Sequence, residues 1–544
     1  QMNEKLVANG YNAHFAQAVR KYWDMPALSD YQEADFKYSD VAQTIAQLHK
    51  AFDKLGIKAG DKIAICGKNS SRWGIAFWAC LTHGAVAVPI LHEFHPEQVV
   101  DIIRHSEAKM LFVSNLIWPK IDATALEGVE VVSLKDYSCL QGNYTLPELA
   151  EPLKPEDIHY YSDAPEELAL LNYTSGTTSN SKGVMIPYRA LISNMDFAIT
   201  VLGPHANAGD KILSLLPMAH MYGMAFEFLY EICAGIHVIF LTKNASPTVL
   251  LKALREIKPV VIIAVPLIIE KVVRKAVLPK LQKPLMKVLW HTPIVNRIIK
   301  NKVRDGLCAA FGGQFWQVIL GGAALSREIE DVLRDIRFPY TVGYGTTECA
   351  PILAYRDWDT FAPTSCGQAA LNMTLKINSK DPQRIDGEIL AKGPNVMLGY
   401  YKNPEATEAV IDKDGWYHTG DMGIIDADGN LYIRGRCKNM LLGANGQNIY
   451  PEEIEDKICG VPLVTEAIVI QKNEKLYGLV YCDPDAVREA GVTDLAAHLE
   501  SHRAELNKRL PGYAQVVGFR IYDTEFEKTP KKSIKRFLYL DAEV

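Results

Sequence analysis

One loop is the most informative part of this sequence: residues 171–184 read LNYTSGTTSNSKGV. An apolar, strand-like approach ends in glycines, hydroxyl side chains and a single lysine, Lys182. Small consecutive residues let backbone N–H groups converge on an anion, and hydroxyls and a lysine add further donors to its oxygens. We therefore predict a phosphate-binding loop. It is not a Walker A motif, because five residues separate Gly176 from Lys182 and Gly183 follows the lysine. The alternative interpretation is a Ser/Thr-rich surface loop.

The chain around this loop alternates between strand-like and helix-like segments. A helical repeat of apolar residues begins near Ser39 and ends at Gly56. Short runs rich in strand-forming residues occur at 62–66, 85–90, 110–113, 211–216, 237–241, 260–265 and 316–320. This alternation predicts an α/β fold in which the sheets are largely parallel and flanked by helices.

Bulk properties narrow the function classes. The chain has 544 residues, which predicts more than one domain, and a net charge of −6, which gives no global argument for nucleic-acid binding. The ten cysteines form no CxxC pair, which is typical of buried thiols in a reducing compartment. The apolar run at 260–269 is too short to span a bilayer. We expect a cytoplasmic protein, with peripheral contact at the inner face of the membrane as an open alternative.

The composition changes near residues 434–438, and the following hundred residues carry their own strand signals at 467–471 and 476–482 and a helix signal at 495–509. We therefore predict a large domain at 1–434, a hinge at 435–438 and a small, mobile α+β domain at 439–544.

The loop at 171–184 resembles the signature of the adenylate-forming superfamily of acyl- and aryl-CoA synthetases, luciferases and peptide-synthetase adenylation domains. Six further segments match that superfamily in the same order: LPMAHMYG at 216–223, GGAA at 321–324, YGTTE at 344–348, WYHTGD at 416–421, GANGQNIYPEEIE at 443–455 and KTPKKSIKR at 528–536. The resemblance implies ATP, Mg²⁺ and CoA as cofactors, and a two-step ligation through an acyl-adenylate.

The resemblance also implies roles for individual residues. Glu348 holds Mg²⁺, since a carboxylate is the hard oxygen ligand that this ion prefers. Asp421 accepts the ribose hydroxyls and Arg436 gives a second ribose or phosphate contact. The remaining nucleotide contacts are expected from the phosphate loop, the adenine edge and the segment before Glu348: Thr174, Ser175, Gly176, Thr177, Thr178, Gly322, Ala323, Tyr344, Gly345, Thr346 and Thr347.

Other residues are implied to serve the acid, CoA or the domain motion. His220 and Tyr222 are implied to lie at the mouth of the acyl pocket. Without the resemblance, His220 is more typical of a histidine packed in the protein interior. Lys182 acts on the phosphates, Lys438 is the hinge, and Gly446 allows close approach of the CoA thiol.

Two motifs depart from the superfamily. In the last motif the usual glycine and catalytic lysine positions carry Lys532 and Ser533, so we expect Lys532 to supply the missing charge through a one-residue bulge. The phosphate loop has Ser179 and Ser181 where glycine and proline are usual. A protein that binds nucleotide with reduced turnover therefore stays an alternative.

The substrate is expected to be a long-chain fatty acid. The form of 216–220 resembles long-chain acyl-CoA synthetases, whereas the phenylalanine-aspartate motif that anchors amino acids is absent from 223–229. Residues 271–304 contain ten Lys/Arg, no Asp or Glu, and interleaved apolar residues, a pattern that suits anionic lipid. A solvated basic face is the alternative there, and an acyl carrier protein is the alternative acceptor to CoA.

Overall fold

The computed structural model of the protein describes residues 2–174, 181–321, 325–443, 448–530 and 532–544. Ser175, Gly176, Thr177, Thr178, Gly322, Ala323 and Gly446, which the sequence assigns to the site, lie outside the described residues.

The helices are α1 Glu4–Asn9, α2 Tyr11–Lys21, α3 Tyr38–Lys54, α4 Ser71–Thr82, α5 Pro96–Ser106, α6 Tyr188–Val201, α7 Met221–Met224, α8 Tyr230–Cys233, α9 Pro247–Ile257, α10 Pro266–Ala276, α11 Leu278–Leu281, α12 Pro284–His291, α13 Val295–Ala310, α14 Arg327–Asp335, α15 Pro404–Val410, α16 Pro451–Cys459, α17 Pro484–Glu489 and α18 Leu495–Lys508. A π-helical segment, Ala225–Leu229, joins α7 to α8.

The strands are β1 Pro26–Asp30, β2 Asp35–Lys37, β3 Lys62–Cys66, β4 Val86–Ile90, β5 Met110–Val113, β6 Glu130–Ser133, β7 Cys139–Gln141, β8 Leu168–Tyr173, β9 Gly183–Pro187, β10 Lys211–Ser214, β11 His237–Phe240, β12 Ile262–Ala264, β13 Val318–Leu320, β14 Tyr340–Val342, β15 Tyr344–Gly345, β16 Ile352–Tyr355, β17 Gln368–Ala369, β18 Thr374–Asn378, β19 Gly387–Lys392, β20 Gly399–Tyr400, β21 Tyr417–Ile425, β22 Leu431–Arg436, β23 Leu441–Leu442, β24 Asn448–Ile449, β25 Val464–Lys472, β26 Lys475–Cys482 and β27 Val516–Tyr522.

Largely parallel sheets organise the chain up to the hinge. The largest has the order β20-β9-β8-β4-β3-β5-β6-β7, and its central strands β8, β4, β3, β5 and β6 run parallel. A second sheet has the order β10-β11-β1-β2, and a third, β12-β13-β14, is wholly parallel. Antiparallel sheets β15-β16-β17 and β18-β19-β21-β22 follow. The predicted α/β class is confirmed.

The local sequence explains these elements. The central strand β3 has Ile63, Ala64 and Ile65 fully buried in succession, as expected for a parallel strand covered on both faces. At the start of α3 the carboxylate of Asp40 accepts a hydrogen bond from the Lys37 N–H. The predicted strands and the helix near Ser39 all form, with ends within a few residues of those expected.

The chain beyond the hinge has its own hydrophobic core. Strands β25 and β26 pair antiparallel, β26 and β27 pair parallel, and α16 and α18 contribute buried residues such as Ile458 and Leu506 to the same cluster. The strands and the helix predicted for this region are present. A small domain is therefore confirmed, while the exact limits 1–434, 435–438 and 439–544 stay a prediction. Among the helices of the described residues, none combines the length and apolar character needed to cross a bilayer.

Candidate active site

A cavity of about 580 Å³ opens where the carboxyl ends of several parallel strands meet. Thr174 follows β8, Gly321 follows β13 and Gly343 follows β14, and all three residues line the cavity. Ligands of open α/β sheets bind at this edge, because the loops that leave the strands there diverge and form a crevice. The cavity is therefore the candidate active site.

The base of the predicted phosphate loop lies in one wall of the cavity. The N–H of Thr174 donates to the carbonyl of Lys182 at 3.0 Å, which continues the antiparallel pairing of β8 with β9. The Lys182 ammonium lies 5.4 Å from the centre of the Tyr400 ring. The hairpin thus closes the loop at its base and holds Lys182 at the cavity, where it can meet an anionic ligand.

Two tyrosines hold Glu348 in the cavity wall. The hydroxyl of Tyr417 donates to Glu348 Oε2 at 2.6 Å, and the hydroxyl of Tyr400 donates to the same oxygen at 3.4 Å. The other carboxylate oxygen, Oε1, receives neither of these bonds. Because Tyr400 also contacts Lys182, it links the predicted phosphate-binding lysine to the predicted metal ligand.

Asp421 is buried between two predicted nucleotide-binding residues. Arg436 Nη1 donates to Asp421 Oδ1 at 2.7 Å, and the Tyr344 hydroxyl donates to Asp421 Oδ2 at 2.5 Å. Burial raises the pKa of the Asp421 carboxyl, and the charge of Arg436 opposes that rise. Strands β21 and β22 place Asp421 opposite Arg436 in register. The carboxylate is thereby oriented before any ligand binds.

Gly420 makes this arrangement possible. Its φ of +74° is strained for residues with a side chain, and a Cβ there would lie 2.9 Å from Arg436 Nη2. The sequence motif at 416–421 therefore has a glycine where the backbone turns beneath the guanidinium.

Cationic side chains crowd the end of the cavity near the hinge. Burial lowers the pKa of Lys438, and the nearby charges of Arg436, Lys182 and Arg536 lower it further. Like charges brought this close repel one another, so the arrangement favours a polyanion that interacts with several of them. Among these cations, Arg536 is anchored by a salt bridge to Glu455 on α16.

Another part of the cavity lining is apolar, and we call it the apolar arm. Phe197, Leu202, Met221, Phe226, Ile263 and Ile319 line it. Tyr222 forms its border, with its hydroxyl donating to the Ile319 carbonyl at 2.9 Å. A Cβ on Gly321 would lie 2.9 Å from that ring, so the glycine after β13 admits Tyr222. His220 also lines the cavity, immediately before α7.

Lys532 lies on a tight turn of the small domain, outside the described lining of the cavity. Its φ is +66°, and its N–H donates to the Thr529 carbonyl at 2.8 Å. The left-handed conformation explains why glycine suits this position in the superfamily. The Lys532 ammonium pairs with Glu93 Oε2 at 3.0 Å, and Ser533 beside it is exposed.

The structure brings many of the predicted site residues to one cavity: Thr174, Lys182, His220, Tyr222, Tyr344, Gly345, Thr346, Thr347, Glu348, Arg436 and Lys438. Asp421 lies just behind this wall, bonded to Tyr344 and Arg436. The individual roles of these residues, and that of Lys532, stay predictions.

Sequence reasoning missed several residues of the site. Tyr400 and Tyr417 position Glu348, and His418 lies between two carboxylates, 3.1 Å from Asp412 and 3.4 Å from Glu388. Tyr417 and His418 belong to the motif at 416–421, so their position beside Asp421 was a usable signal. Tyr400 lies outside all of these motifs, so no local signal in the sequence marks it.

Glu348 fits a Mg²⁺ ion that is shared with substrate phosphates. Such an ion is bound by one or two protein carboxylates, with phosphate oxygens and water completing its shell. In the part of the chain that the structure describes, no group of three or more His, Cys, Asp or Glu side chains could hold a metal ion by itself.

Family models and relatives match nearly the whole chain. The model for AMP-binding enzyme matches residues 15–401, and the model for the AMP-binding enzyme C-terminal domain matches residues 438–542. A 4-coumarate–CoA ligase of Petroselinum crispum is 27% identical over 92% of this chain and 88% of its own length. A long-chain-fatty-acid–CoA ligase of Mycobacterium bovis is 26% identical over 92% and 90%. A chloroplastic long-chain-fatty-acid–[acyl-carrier-protein] ligase of Arabidopsis thaliana is 26% identical over 85% and 75%.

Solved structures share the fold. An anthranilate CoA ligase in complex with anthranoyl-AMP superposes with a TM-score of 0.78 at 18% identity, covering 97% of this chain and 96% of its own. An o-succinylbenzoate CoA synthetase of Bacillus subtilis, in complex with ATP and magnesium, gives a TM-score of 0.76 at 21% identity, covering 97% and 99%.

Proposed function

Because this chain belongs to the AMP-binding enzyme family and has the fold of adenylate-forming CoA ligases, we propose that it ligates a long-chain fatty acid to CoA. The carboxylate attacks the α-phosphate of ATP, pyrophosphate leaves, and the CoA thiol then displaces AMP from the acyl-adenylate. The observation that carries the proposal is one cavity whose lining combines cationic residues, Lys182, Arg436 and Lys438, here called the cationic arm, with the residues of the apolar arm.

The apolar arm supports a fatty acid as the substrate. Its described lining combines aliphatic and aromatic side chains, among them Leu202 and Phe226. Burial of a chain there contributes about 0.8 kcal/mol for each methylene group. The 4-coumarate ligases among the relatives make an aryl acid the natural comparison substrate.

The first step rests on orientation and charge. Lys182, Arg436 and Lys438 line the cationic arm and offset the negative charge that develops on the phosphates. Asp421, held by Arg436 and Tyr344, accepts the ribose hydroxyls. Glu348, oriented by Tyr417, would hold the Mg²⁺ ion, which would supply further charge neutralisation at the phosphates.

Both steps require the small domain to move about Lys438. In the structure Lys532 contacts Glu93 on the large domain. For Lys532 to reach the α-phosphate this contact must open, and for CoA to enter the small domain must turn. A hinge of a few residues can absorb such a rotation.

One assay tests the proposal: ATP–pyrophosphate exchange with acids from acetate to stearate and with 4-coumarate, followed by thioester formation with CoA. We expect exchange to rise with chain length and AMP release to depend on CoA. Faster exchange with 4-coumarate than with any fatty acid would overturn the choice of substrate. ATP binding without exchange for any acid would select the alternative of reduced turnover.

An acyl carrier protein is the second candidate acceptor, because one relative is a ligase of that type. The same exchange assay, followed by acceptor competition between CoA and holo-acyl carrier protein, separates the two. Acyl transfer to the carrier protein alone would select it.

We also propose that residues 271–304 contact anionic membrane lipid. The segment forms α11, α12 and most of α10 and α13, and Leu285, Val288, Ile294 and Ile298 are between 63% and 81% exposed. Apolar side chains exposed among lysines suit adsorption to a charged lipid surface, where each basic residue contributes about 1 kcal/mol. Membrane contact would place the enzyme at the inner face of the membrane, where its acid partitions.

Vesicle cosedimentation tests this surface. Replacing Lys280, Lys283 and Lys287 with Gln is expected to weaken binding to anionic vesicles and its salt dependence, with neutral vesicles as the reference. Replacing Lys5, Lys50 and Lys54, which lie outside the segment, with Gln is the matched control for net charge. Equal binding by both triple variants would support the solvated-face alternative.

A further inference from the structure

A second cavity lies beyond the apolar arm of the candidate active site. Its volume is about 10 Å³, at the lower limit of the space that one water molecule needs. Leu202, Tyr230, Glu231, Val261 and Trp316 are among its lining residues. His205, stacked on Trp316 at a ring separation of 3.6 Å, closes its outer side.

The two cavities are neighbours. Leu202 lines both. Ile263 on β12 lines the large cavity and Val261, two residues earlier and on the same face, lines the small one. Along the helical segment from α7 to α8, Phe226 lines the large cavity and Tyr230, four residues later, lines the small one. The small cavity therefore adjoins the apolar arm, next to the space that the tail of a bound acid would occupy.

Glu231 is an unusual residue for this position. It is fully buried, and neither carboxyl oxygen has a hydrogen-bond partner in any other described residue. Burial disfavours the charged form of this carboxyl and raises its pKa well above the ordinary value, and no cation or outside donor among the described residues offsets the effect. A buried carboxyl without partners is destabilising, so its presence at the end of an acyl path calls for a ligand group.

Glu227, one helical turn earlier, shows what a structural buried glutamate does here. Its carboxyl accepts hydrogen bonds from the N–H groups of Leu215, at 3.0 Å, and Leu216, at 2.7 Å. Glu227 thereby fixes the turn that leads to His220. Glu231 accepts no such bond from the backbone of any other described residue.

We propose that Glu231 binds a single neutral oxygen function, a hydroxyl or keto group, near the far end of the acid. The proposal rests on the proposed function, since it assigns the tail of the acid that the apolar arm holds. A neutral carboxyl both donates and accepts one hydrogen bond, which matches either group. The small cavity accommodates one such oxygen and no larger polar group.

The test compares unsubstituted fatty acids with acids of the same length that carry a terminal or penultimate hydroxyl or keto group. Exchange rates give the ratio of kcat/KM for each pair, and equilibrium binding of both acids in the presence of AMP gives the ratio of affinities without turnover. Glu231→Gln keeps a neutral donor and acceptor, whereas Glu231→Leu removes both at similar volume. Thermal unfolding confirms that each variant is folded.

At one or more chain lengths we expect the oxygenated acid to be favoured about 10-fold, the effect of one buried hydrogen bond. Glu231→Gln should keep this preference and Glu231→Leu should abolish or invert it. The inference is overturned if the parent prefers no oxygenated acid at any length, which would mean that a buried water satisfies Glu231, or if Glu231→Leu keeps the parent's ratio. Absence of exchange with every acid would instead refute the proposed function, and the binding ratios would still decide the role of Glu231.

Discussion

Replacing Glu348 with Gln isolates the charge of the predicted metal ligand. The amide oxygen can still accept a hydrogen bond from Tyr417, so the shape of the site is kept. A hydrogen bond to a charged group contributes about 1.5–3 kcal/mol and one between neutral groups about 0.5–1.5 kcal/mol. We therefore expect the free energy of unfolding to fall by only about 1 kcal/mol.

The effect on adenylation should be far larger. Loss of the carboxylate removes the protein's charge on the Mg²⁺ ion, and removal of one preorganised electrostatic group lowers kcat by about 10²–10³-fold. The assay is ATP–pyrophosphate exchange titrated with Mg²⁺, with thermal unfolding of the same samples.

Tyr417→Phe is the matched control. It keeps the carboxylate and removes the hydroxyl that orients it at 2.6 Å. Loss of such a supporting hydrogen bond weakens metal affinity by about 10–100-fold. A higher Mg²⁺ concentration should therefore restore the exchange rate of Tyr417→Phe but not that of Glu348→Gln. Exchange at the parent's rate in Glu348→Gln would refute the assignment of Glu348.

Three further predictions concern the small domain, the ribose site and the acyl path. Lys532→Ala should lower the rate of ATP–pyrophosphate exchange by about 10²–10³-fold, because it removes the charge expected at the α-phosphate, while thioester formation from supplied acyl-adenylate survives. An unchanged exchange rate would contradict this role. If the parent is inactive and Ser533→Lys is active, the protein is a degenerate enzyme. Gly420→Ala should raise the KM for ATP because its Cβ displaces Arg436. The left-handed backbone at this position should also lower the free energy of unfolding by about 1–2 kcal/mol. An unchanged KM would mean that Arg436 does not contact ATP. Burial raises the pKa of Glu231, so this carboxyl binds its proton more tightly in the folded protein than in the unfolded chain, and its contribution to stability falls as pH rises above about 4.5. Glu231→Leu should therefore make the stability less dependent on pH, and its Tm relative to the parent should be higher at pH 8 than at pH 5. The same Tm difference at both pH values would contradict a neutral buried carboxyl.

The sequence by itself determined the fold class and the family. The loop at 171–184 and the ordered motifs after it depend on residues close together in the chain, so their spacing carries the information. The same holds for β3, whose continuous burial follows from a run of apolar residues, and for α3 with its acidic cap. The pairing of Asp421 with Arg436 is nearly local, because consecutive antiparallel strands bring them into register.

Only the tertiary structure decided how the site is supported. Tyr400 and Tyr417 lie 52 and 69 residues from Glu348 in the chain, and no spacing rule relates them. The pairing of Lys532 with Glu93 depends on how the small domain meets the large one. Glu227 and Glu231 look alike in sequence, yet one caps two backbone amides and the other faces a cavity. Such differences arise from the packing of distant segments, because a polar group's surroundings depend on which elements the folded chain places around it.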